Sequence, residues 1–135
     1  MSLENLKYKR FKQRLQNYRD AVLFLQETID TSAPQRIKEA ATVKSYEMAF
    51  ELAWKTLRDF LEYSGYQEVL SPREVIKKSF QQGYLSDGTL WIKMLDERNE
   101  LTHVYSEEKS KDSAQLISEQ YVRHLAELLH TLETK

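Results

Sequence analysis

Cysteine is absent from this 135-residue chain, and glycine and proline are scarce, with three and two copies. The absence of cysteine excludes disulfides and thiolate metal ligands, and it fits a reducing cytoplasm. No stretch reaches the roughly 18 uncharged apolar residues of a membrane-spanning helix, and no charged-then-apolar leader opens the sequence. We therefore expect a cytoplasmic protein that makes no use of a membrane.

Other absences restrict the chemistry. Three glycines cannot supply a glycine-rich phosphate loop, and no serine or cysteine nucleophile stands in a recognisable motif. No linker, internal repeat or low-complexity tract divides the chain, and its length is typical of one domain. Residues 1–135 are therefore expected to form a single domain. A chain of this length can bury about two thirds of its unfolded surface, so neither a disulfide nor a metal is needed for folding. We also expect no cofactor.

The net charge of −1 gives no overall attraction to nucleic acid, but the charges are unevenly distributed. Between Glu4 and Asp20 no acid occurs, and the interval holds six cations: Lys7, Lys9, Arg10, Lys12, Arg14 and Arg19. One interpretation is the solvated face of a helix. The other is a basic strip that meets RNA or an acidic partner.

Apolar spacing predicts five helical segments and no strand. The first spans about 3–31, and the second runs from Pro34, in its first turn, to about Ser64 before Gly65. A short third helix begins at the capping box Ser71-Pro72-Arg73-Glu74 and ends at Gly83. The fourth spans about 87–105, a polar connection covers 106–111, and a last helix follows. Its apolar positions are Ile117, Tyr121, Leu125, Leu128 and Leu132.

The second helix is apolar over an unusually wide arc, which leaves only a narrow polar strip. A helix of this kind lies at the centre of a bundle, or it also faces a second subunit. Long helices joined by short loops pack as antiparallel neighbours. The predicted fold is therefore an all-α, antiparallel up-and-down bundle of four long helices plus one short helix.

Arg98 is out of place on the fourth helix. At about 100° per residue it falls in the middle of an apolar arc that includes Trp91, Met94 and Leu101. A guanidinium there needs acceptors. It either pairs with a carboxylate such as Glu47 or reaches solvent along its own stem, or it points into a cleft that holds phosphate. A simple buried pair with Glu47 would favour a structural bundle without a site.

His103 lies about 140° around the helix from Arg98, whereas Asn99 is its neighbour one turn earlier. Arg98 and His103 can meet only if the helix end deforms, if the arginine curls around, or if a second chain completes the site. A histidine near a helix C-terminus often makes a capping or dipole contact, but it is also the usual acid–base residue near neutral pH.

Two Glu-x-x-His pairs, Glu100 with His103 and Glu127 with His130, suggest a metal site of the di-iron type. Helical phase turns Glu127 and His130 away from the core side of the last helix, so we predict no metal site. Tyr105 stands at a helix end beside a polar loop. Its hydroxyl is either satisfied within the bundle or presented to solvent or to a modifying enzyme.

The segment Arg98-Asn99-Glu100-Leu101-Thr102-His103 resembles the signature of the HEPN family, and Tyr105 extends it to Arg-x4-His-x-Tyr. Two further blocks resemble landmarks of the nucleotidyltransferase substrate-binding proteins within that family. They are Phe50-Glu51-Leu52-Ala53-Trp54-Lys55-Thr56-Leu57 and Ser71-Pro72-Arg73-Glu74-Val75-Ile76-Lys77. Together the three blocks extend the likeness over about residues 5–130.

The resemblance implies a homodimer whose signature residues line a cleft near the dimer axis, and a minimal nucleotidyltransferase encoded nearby as partner. It implies either a subunit that binds substrate for that enzyme or the toxin of a toxin–antitoxin pair. In the second case Arg98 and His103 would cleave RNA without a metal, with Asn99 orienting His103. Tyr105 would be the hydroxyl that the partner adenylylates to silence the toxin. Glu47 and Thr102 are further candidates to line the cleft.

Overall fold

The structure is a computed structural model that describes residues 2–69, 71–102 and 106–135. Within these ranges the chain is helical and forms no strand. Four helices come first: α1 (Leu3–Asp30), α2 (Gln35–Tyr63), α3 (Pro72–Gln81) and α4 (Gly88–Leu101). The last helical run consists of α5 (Glu107–Leu116), a π-helical segment (Ile117–Tyr121) and α6 (Val122–Glu133). The predicted all-helical antiparallel bundle is confirmed.

Several helix ends lie where local sequence signals placed them. The Ser71 hydroxyl accepts a hydrogen bond from the Glu74 amide, as the predicted cap requires, and it also donates one to the Glu74 carboxylate at 3.0 Å. The Asp87 carboxylate accepts from the Leu90 amide and begins α4. Gly65 and Gly83 have φ angles of 98° and 80°, the left-handed conformation that commonly follows a helix end.

The connection predicted at 106–111 is wrong. The Ser106 hydroxyl accepts a hydrogen bond from the Lys109 amide at 3.0 Å and caps α5, which begins at Glu107. The polar residues 107–111 are therefore helical. Two other ends also shift. Pro34 occupies the N-cap position, so that α2 begins one residue later. Helix α4 ends at Leu101, earlier than the predicted end near Tyr105.

A π-helical segment interrupts the last helical run at Ile117–Tyr121. The buried residues around it recur every fourth position: Ser113, Ile117, Tyr121, Leu125 and Leu129. In a regular α-helix a step of four residues rotates the side chain by about 40° beyond a full turn. A series of such steps would therefore leave the core face within a few turns. The wider π-turn absorbs the extra residue and keeps all five side chains on the inner side.

Helix α2 lies at the centre of the bundle, with the other helices packed around it. Its buried residues include Tyr46, Phe50, Leu57 and Leu61, and the broad apolar arc therefore has the central position that was one of its two interpretations. The stripe of α1 is buried at Phe11, Leu15, Tyr18, Val22 and Leu25. No helix in the described part of the chain is long and apolar enough to cross a membrane.

Three cations of the basic strip on α1 form ion pairs with neighbouring helices. Arg14 Nε lies 2.6 Å from Asp59 Oδ2 on α2, and the Asp59 side chain is only 2 % exposed. Arg10 lies 3.9 Å from Glu62, and Arg19 binds Glu133 on α6 at 2.5 Å. Half of the strip thus joins α1 to α2 and α6, which favours a structural role for these three residues.

Candidate functional site

Arg98 leaves the apolar arc of α4 by reaching across to α2. One guanidinium nitrogen, Nη2, forms an ion pair with Glu51 Oε2, and Nη1 donates to Asn99 Oδ1 at 3.1 Å. The Arg98 side chain is 26 % exposed, so its head lies at the surface while Trp91 and Met94 on the same arc are buried. The pairing with an α2 carboxylate was expected, but the partner is Glu51, one turn beyond the Glu47 suggested by the sequence.

Glu51 contacts three polar side chains. Its carboxylate accepts a hydrogen bond from the Trp54 indole nitrogen at 3.1 Å and lies 3.1 Å from Lys55 Nζ, in addition to the pair with Arg98. Burial alone would raise the Glu51 pKa. Hydrogen bonds from Trp54 and Lys55 and the positive charges of Arg98 and Lys55 outweigh that effect, so the pKa lies below its usual value. The carboxylate is therefore anionic at neutral pH.

The predicted cleft-lining residues lie on either side of this pair. Glu47 is one turn before Glu51 on α2, and its carboxylate lies 3.7 Å from Lys44 Nζ. Thr102 follows the end of α4, and its hydroxyl donates to the Asn99 carbonyl oxygen at 2.8 Å. Asn99 is exposed, and its side-chain oxygen is engaged by Arg98. Whether Glu47 and Thr102 line a cleft stays a prediction.

His103 and Tyr105 lie outside the described residues. Their predicted roles, and the predicted convergence of His103 with Arg98, therefore stay predictions. The described neighbours on either side are Thr102, which caps the end of α4, and Ser106, which caps the start of α5.

The structure also describes Glu127 and His130, two of the residues considered for a metal site. Glu127 and His130 are not buried in the core face of α6, as helical phase indicated, and Glu127 accepts a hydrogen bond from the Ser86 hydroxyl at 2.8 Å. Among the residues that the structure describes, no group of three or more His, Asp or Glu side chains is arranged to hold a metal ion.

The sequence interpretation missed a second polar cluster, which begins at Glu97 next to Arg98 and joins α4 to α5. Glu97 is only 9 % exposed, and its carboxylate accepts from the Ser113 hydroxyl at 2.5 Å and pairs with Lys109 Nζ at 3.1 Å. Lys109 also pairs with the exposed Glu100 at 3.2 Å. Burial would lower the Lys109 pKa, but hydrogen bonds and charges from both carboxylates raise it overall. Helical spacing could have found Glu97, because it follows the buried Met94 by three residues.

A buried tyrosine also contacts this part of α4. The Tyr46 hydroxyl donates to the Met94 carbonyl oxygen at 2.6 Å, and its ring stacks on Tyr121 with centroids 5.7 Å apart. Burial raises the Tyr46 pKa well above its usual value, and the nearby Tyr121 and Glu97 add to the effect. Tyr46 therefore stays neutral and serves as a fixed hydrogen-bond donor between α2 and α4.

This arrangement can bind an anion at the surface. Arg98 and Lys55 present two cations within reach of one carboxylate, and the guanidinium orientation is fixed by Glu51 and Asn99. A planar guanidinium of this kind suits two-pronged contact with phosphate or carboxylate oxygens.

Comparisons with known proteins find one matching family and a similar solved structure. Residues 13–134 match the model of the family described as nucleotidyltransferase substrate binding protein like. A comparison with curated proteins finds no match. A crystal structure of a protein from Thermus thermophilus is similar, with a TM-score of 0.76 and 26 % sequence identity over 85 % of this chain and 98 % of that one. The family match spans nearly the whole sequence, and this chain therefore belongs to the nucleotidyltransferase substrate binding protein like family.

Proposed function

We propose that this protein is the helical partner of a nucleotidyltransferase and holds phosphate groups of that enzyme's nucleotide or acceptor. The observation that carries the proposal is the placement of Arg98, whose partly exposed guanidinium is oriented by an anionic Glu51 that also pairs with Lys55. The family match supports the partner, and the two cations support phosphate as the recognised group.

Binding would proceed by exchange of one anion for another. A phosphate that approaches Arg98 replaces the Glu51 carboxylate on the guanidinium, while Lys55 and Trp54 continue to hold Glu51. The proposed site also includes Asn99 and Thr102, at the end of α4, and His103, which follows Thr102 in the sequence. Glu47, one turn away on α2, would form its edge.

The test is nucleotide binding by the assembled complex. The protein is co-purified with a minimal nucleotidyltransferase of the same genome, and ATP binding is measured by calorimetry for the wild type and Arg98→Met. Loss of a charge-assisted contact of about 1.5–3 kcal/mol corresponds to weakening of roughly 10- to 150-fold. The matched control is Arg73→Met, because Arg73 forms an exposed ion pair with Asp96 at 3.1 Å and lies outside the proposed site. Failure to co-purify, or equal affinities for all three proteins, would contradict the proposal.

We also propose that two copies form a homodimer with the site near its axis. Ile37 and Met48 support this, since both are exposed apolar residues on α2, at 62 % and 49 %. Eleven residues separate them, which places them within about 20° of each other on the helix surface. Light scattering coupled to gel filtration measures the mass, and a monomer at micromolar concentration would exclude the dimer.

The second candidate function is that of a metal-independent endoribonuclease, the toxin of a toxin–antitoxin pair. It is favoured by the oriented Arg98, which can neutralise a phosphorane, and by the four-residue interval to His103, which can move protons near pH 7. The protein and its His103→Ala variant are expressed without the partner, and growth and RNA integrity are followed. Toxicity and RNA cleavage that His103→Ala abolishes support this function; two equally harmless proteins rule it out.

Silencing of the toxin would involve Tyr105, which we propose as the hydroxyl that the nucleotidyltransferase adenylylates. Intact-mass analysis after incubation with the partner and ATP should show the addition of one or more AMP groups. Absence of a mass gain, or a gain that persists in Tyr105→Phe, would contradict this role.

A further inference from the structure

Where α1 ends and α2 begins, these two helices and the last helical run border a pocket of about 300 Å³. Its wall includes Lys38 and Thr42 from the first turns of α2, Lys111 from α5, and Ser118 from the π-helical segment. Thr42 and Glu51 are nine residues apart, so they lie on opposite sides of α2 and about 14 Å apart along its axis. The pocket is therefore separate from the proposed site at Arg98.

The hydroxyl of Thr42 lacks the partner that two other buried hydroxyls of α2 have. Ser45 donates at 2.7 Å, and Thr56 at 2.6 Å, to the carbonyl oxygen four residues earlier. Thr42 is only 2 % exposed, but its hydroxyl makes no hydrogen bond to any residue that the structure describes. It is not fully enclosed, in contrast to the unpaired hydroxyl of Ser79 in the core. Because Thr42 lines the pocket, its hydroxyl is available to a ligand there.

Lys38 and Lys111 bring two cations to the pocket. Neither ammonium group forms an ion pair with a described residue, in contrast to Lys109 on α5. Among the described residues of the wall there is one carboxylate, that of Glu39, and it accepts a hydrogen bond from Gln35 Nε2 at 3.2 Å. The wall thus carries two positive charges and one negative charge, and this excess favours an anion.

The start of α2 adds to the positive potential. The helix begins after Pro34, which offers no side-chain cap, and its first turn contains no acid. The positive end of the helix dipole is therefore not offset by a side chain of that turn. A free hydroxyl, two ammonium groups and a helix start of this kind together suit the oxygens of a phosphate group.

We infer that this pocket binds a phosphate group, and that the ligand is a small phosphate monoester. Lys38 and Lys111 neutralise the charge of the phosphate, and the Thr42 hydroxyl donates to one of its oxygens. A second hollow of about 400 Å³ shares Ile29 and Ser118 with the pocket. Its wall also contains the apolar residues 122 and 126, so it offers space for the organic part of a monoester, which inorganic phosphate does not need.

The first experiment locates the site with three probes: inorganic phosphate, AMP and adenosine. Each is titrated into the isotope-labelled protein at constant ionic strength, and amide chemical shifts are followed by NMR. We expect phosphate and AMP, but not adenosine, to shift the amides of Lys38, Thr42, Lys111 and Ser118. AMP should bind more tightly than inorganic phosphate. Equal affinities would support the phosphate site and overturn the role of the second hollow.

The second experiment tests the three groups with Lys38→Met, Lys111→Met and Thr42→Val. The matched control is Lys93→Met, because Lys93 is an exposed lysine on α4 outside the pocket. Loss of a charge-assisted contact should weaken AMP binding about tenfold in either lysine variant, and loss of a neutral hydrogen bond about fivefold in Thr42→Val. Thr42→Ser, which keeps the hydroxyl, and Lys93→Met should bind AMP within about twofold of the wild type.

Arg98→Met separates this pocket from the proposed site, and the shifts at Lys38 and Thr42 should persist in that variant. The inference is overturned if neither phosphate nor AMP shifts the pocket amides up to about 10 mM. Equal AMP affinities of the wild type, Lys38→Met and Thr42→Val would also overturn it. Neither result bears on the proposed function, which is tested by ATP binding of the assembled complex.

Discussion

Replacing Glu51 by glutamine should destabilise the fold and, at the same time, strengthen anion binding at Arg98. Glutamine keeps the shape of the side chain and one oxygen acceptor but removes the charge that pairs with Arg98 and Lys55. Hydrogen bonds to charged groups contribute about 1.5–3 kcal/mol, whereas exposed ion pairs contribute about 0.2–1 kcal/mol. The Arg98 and Glu51 side chains are 26 % and 30 % exposed and lie between these cases. We expect the free energy of unfolding to fall by about 1–2 kcal/mol at pH 7.

The effect should depend on pH in a defined direction. The Glu51 pKa is lower in the folded protein than its usual value, because the hydrogen bonds and positive charges around it outweigh its burial. The stabilisation is therefore complete above the unfolded-state pKa of about 4.3 and is lost as the pH falls through the lower folded-state value. Once the pH lies below the folded-state pKa, Glu51 is protonated and resembles glutamine, so the difference between wild type and variant should shrink as the pH falls.

Urea denaturation of both proteins at pH 7, and at acidic pH values lowered stepwise below the unfolded-state pKa, measures this difference. Glu100→Gln is the control, because its 64 % exposed side chain should change the free energy of unfolding by less than about 0.5 kcal/mol at pH 7. A Glu51→Gln destabilisation that is equally large at pH 7 and at the lowest of these pH values would show that the charge of Glu51 is not its cause.

Glu51→Gln should weaken the fold but strengthen the binding of ATP. Glu51 competes with any incoming phosphate for the Arg98 guanidinium, so removal of its charge should increase ATP affinity by about 1 kcal/mol, or roughly fivefold. This increase should disappear in the double variant with Arg98→Met. A decrease in affinity for Glu51→Gln would refute the exchange of anions and would mean that Glu51 is needed to orient the guanidinium.

Three further changes test how the bundle is held together. Arg14→Met leaves the buried Asp59 without its 2.6 Å partner, and urea denaturation should show a loss of about 2–4 kcal/mol that Asp59→Asn in the same chain partly reverses. Ser106→Ala removes the cap of α5 and should lower the free energy of unfolding by about 1 kcal/mol, while Ser106→Asp should retain most of it. Gly88→Ala places a Cβ 2.9 Å from Phe80 Cγ, and urea denaturation should show that this overpacking lowers the free energy of unfolding by about 1–2 kcal/mol. With Phe80→Ala in the same chain the change should instead stabilise by up to about 1 kcal/mol, because alanine loses less backbone entropy than glycine on folding.

Helix boundaries and core faces could be predicted where the information is local. A capping box, a left-handed glycine and a stripe of apolar residues each depend on contacts within a few residues. This is why the start of α3, the stop after α2 and the buried face of α1 agree with prediction. The error at 106–111 came from composition, since a run of charged residues was interpreted as a connection. Ser106 as cap, followed by Glu107 and Glu108 in the first turn, is itself a helix-start signal.

The π-turn was also missed, although its signal is present. The apolar positions of the last helix are separated by four residues from Ile117 to Tyr121 and from Tyr121 to Leu125, without the intervening three-residue step of an α-helix. Such a series indicates an inserted residue if all its members are to face the core. Ser113, one step earlier, continues the series and is the residue that binds Glu97.

The choice between Glu47 and Glu51 as partner of Arg98 could not be made from one sequence, for a geometric reason. Both carboxylates lie on the same side of α2, about 40° apart, and differ mainly by about 6 Å along its axis. Periodicity specifies angular position around a helix, but it says nothing about how far two packed helices slide along each other. That offset is set by core contacts such as the Tyr46 hydroxyl on the Met94 carbonyl oxygen. A slide of one turn would exchange the carboxylate that pairs with Arg98, so the anion site that we propose there depends on a buried tyrosine that no polar motif reveals.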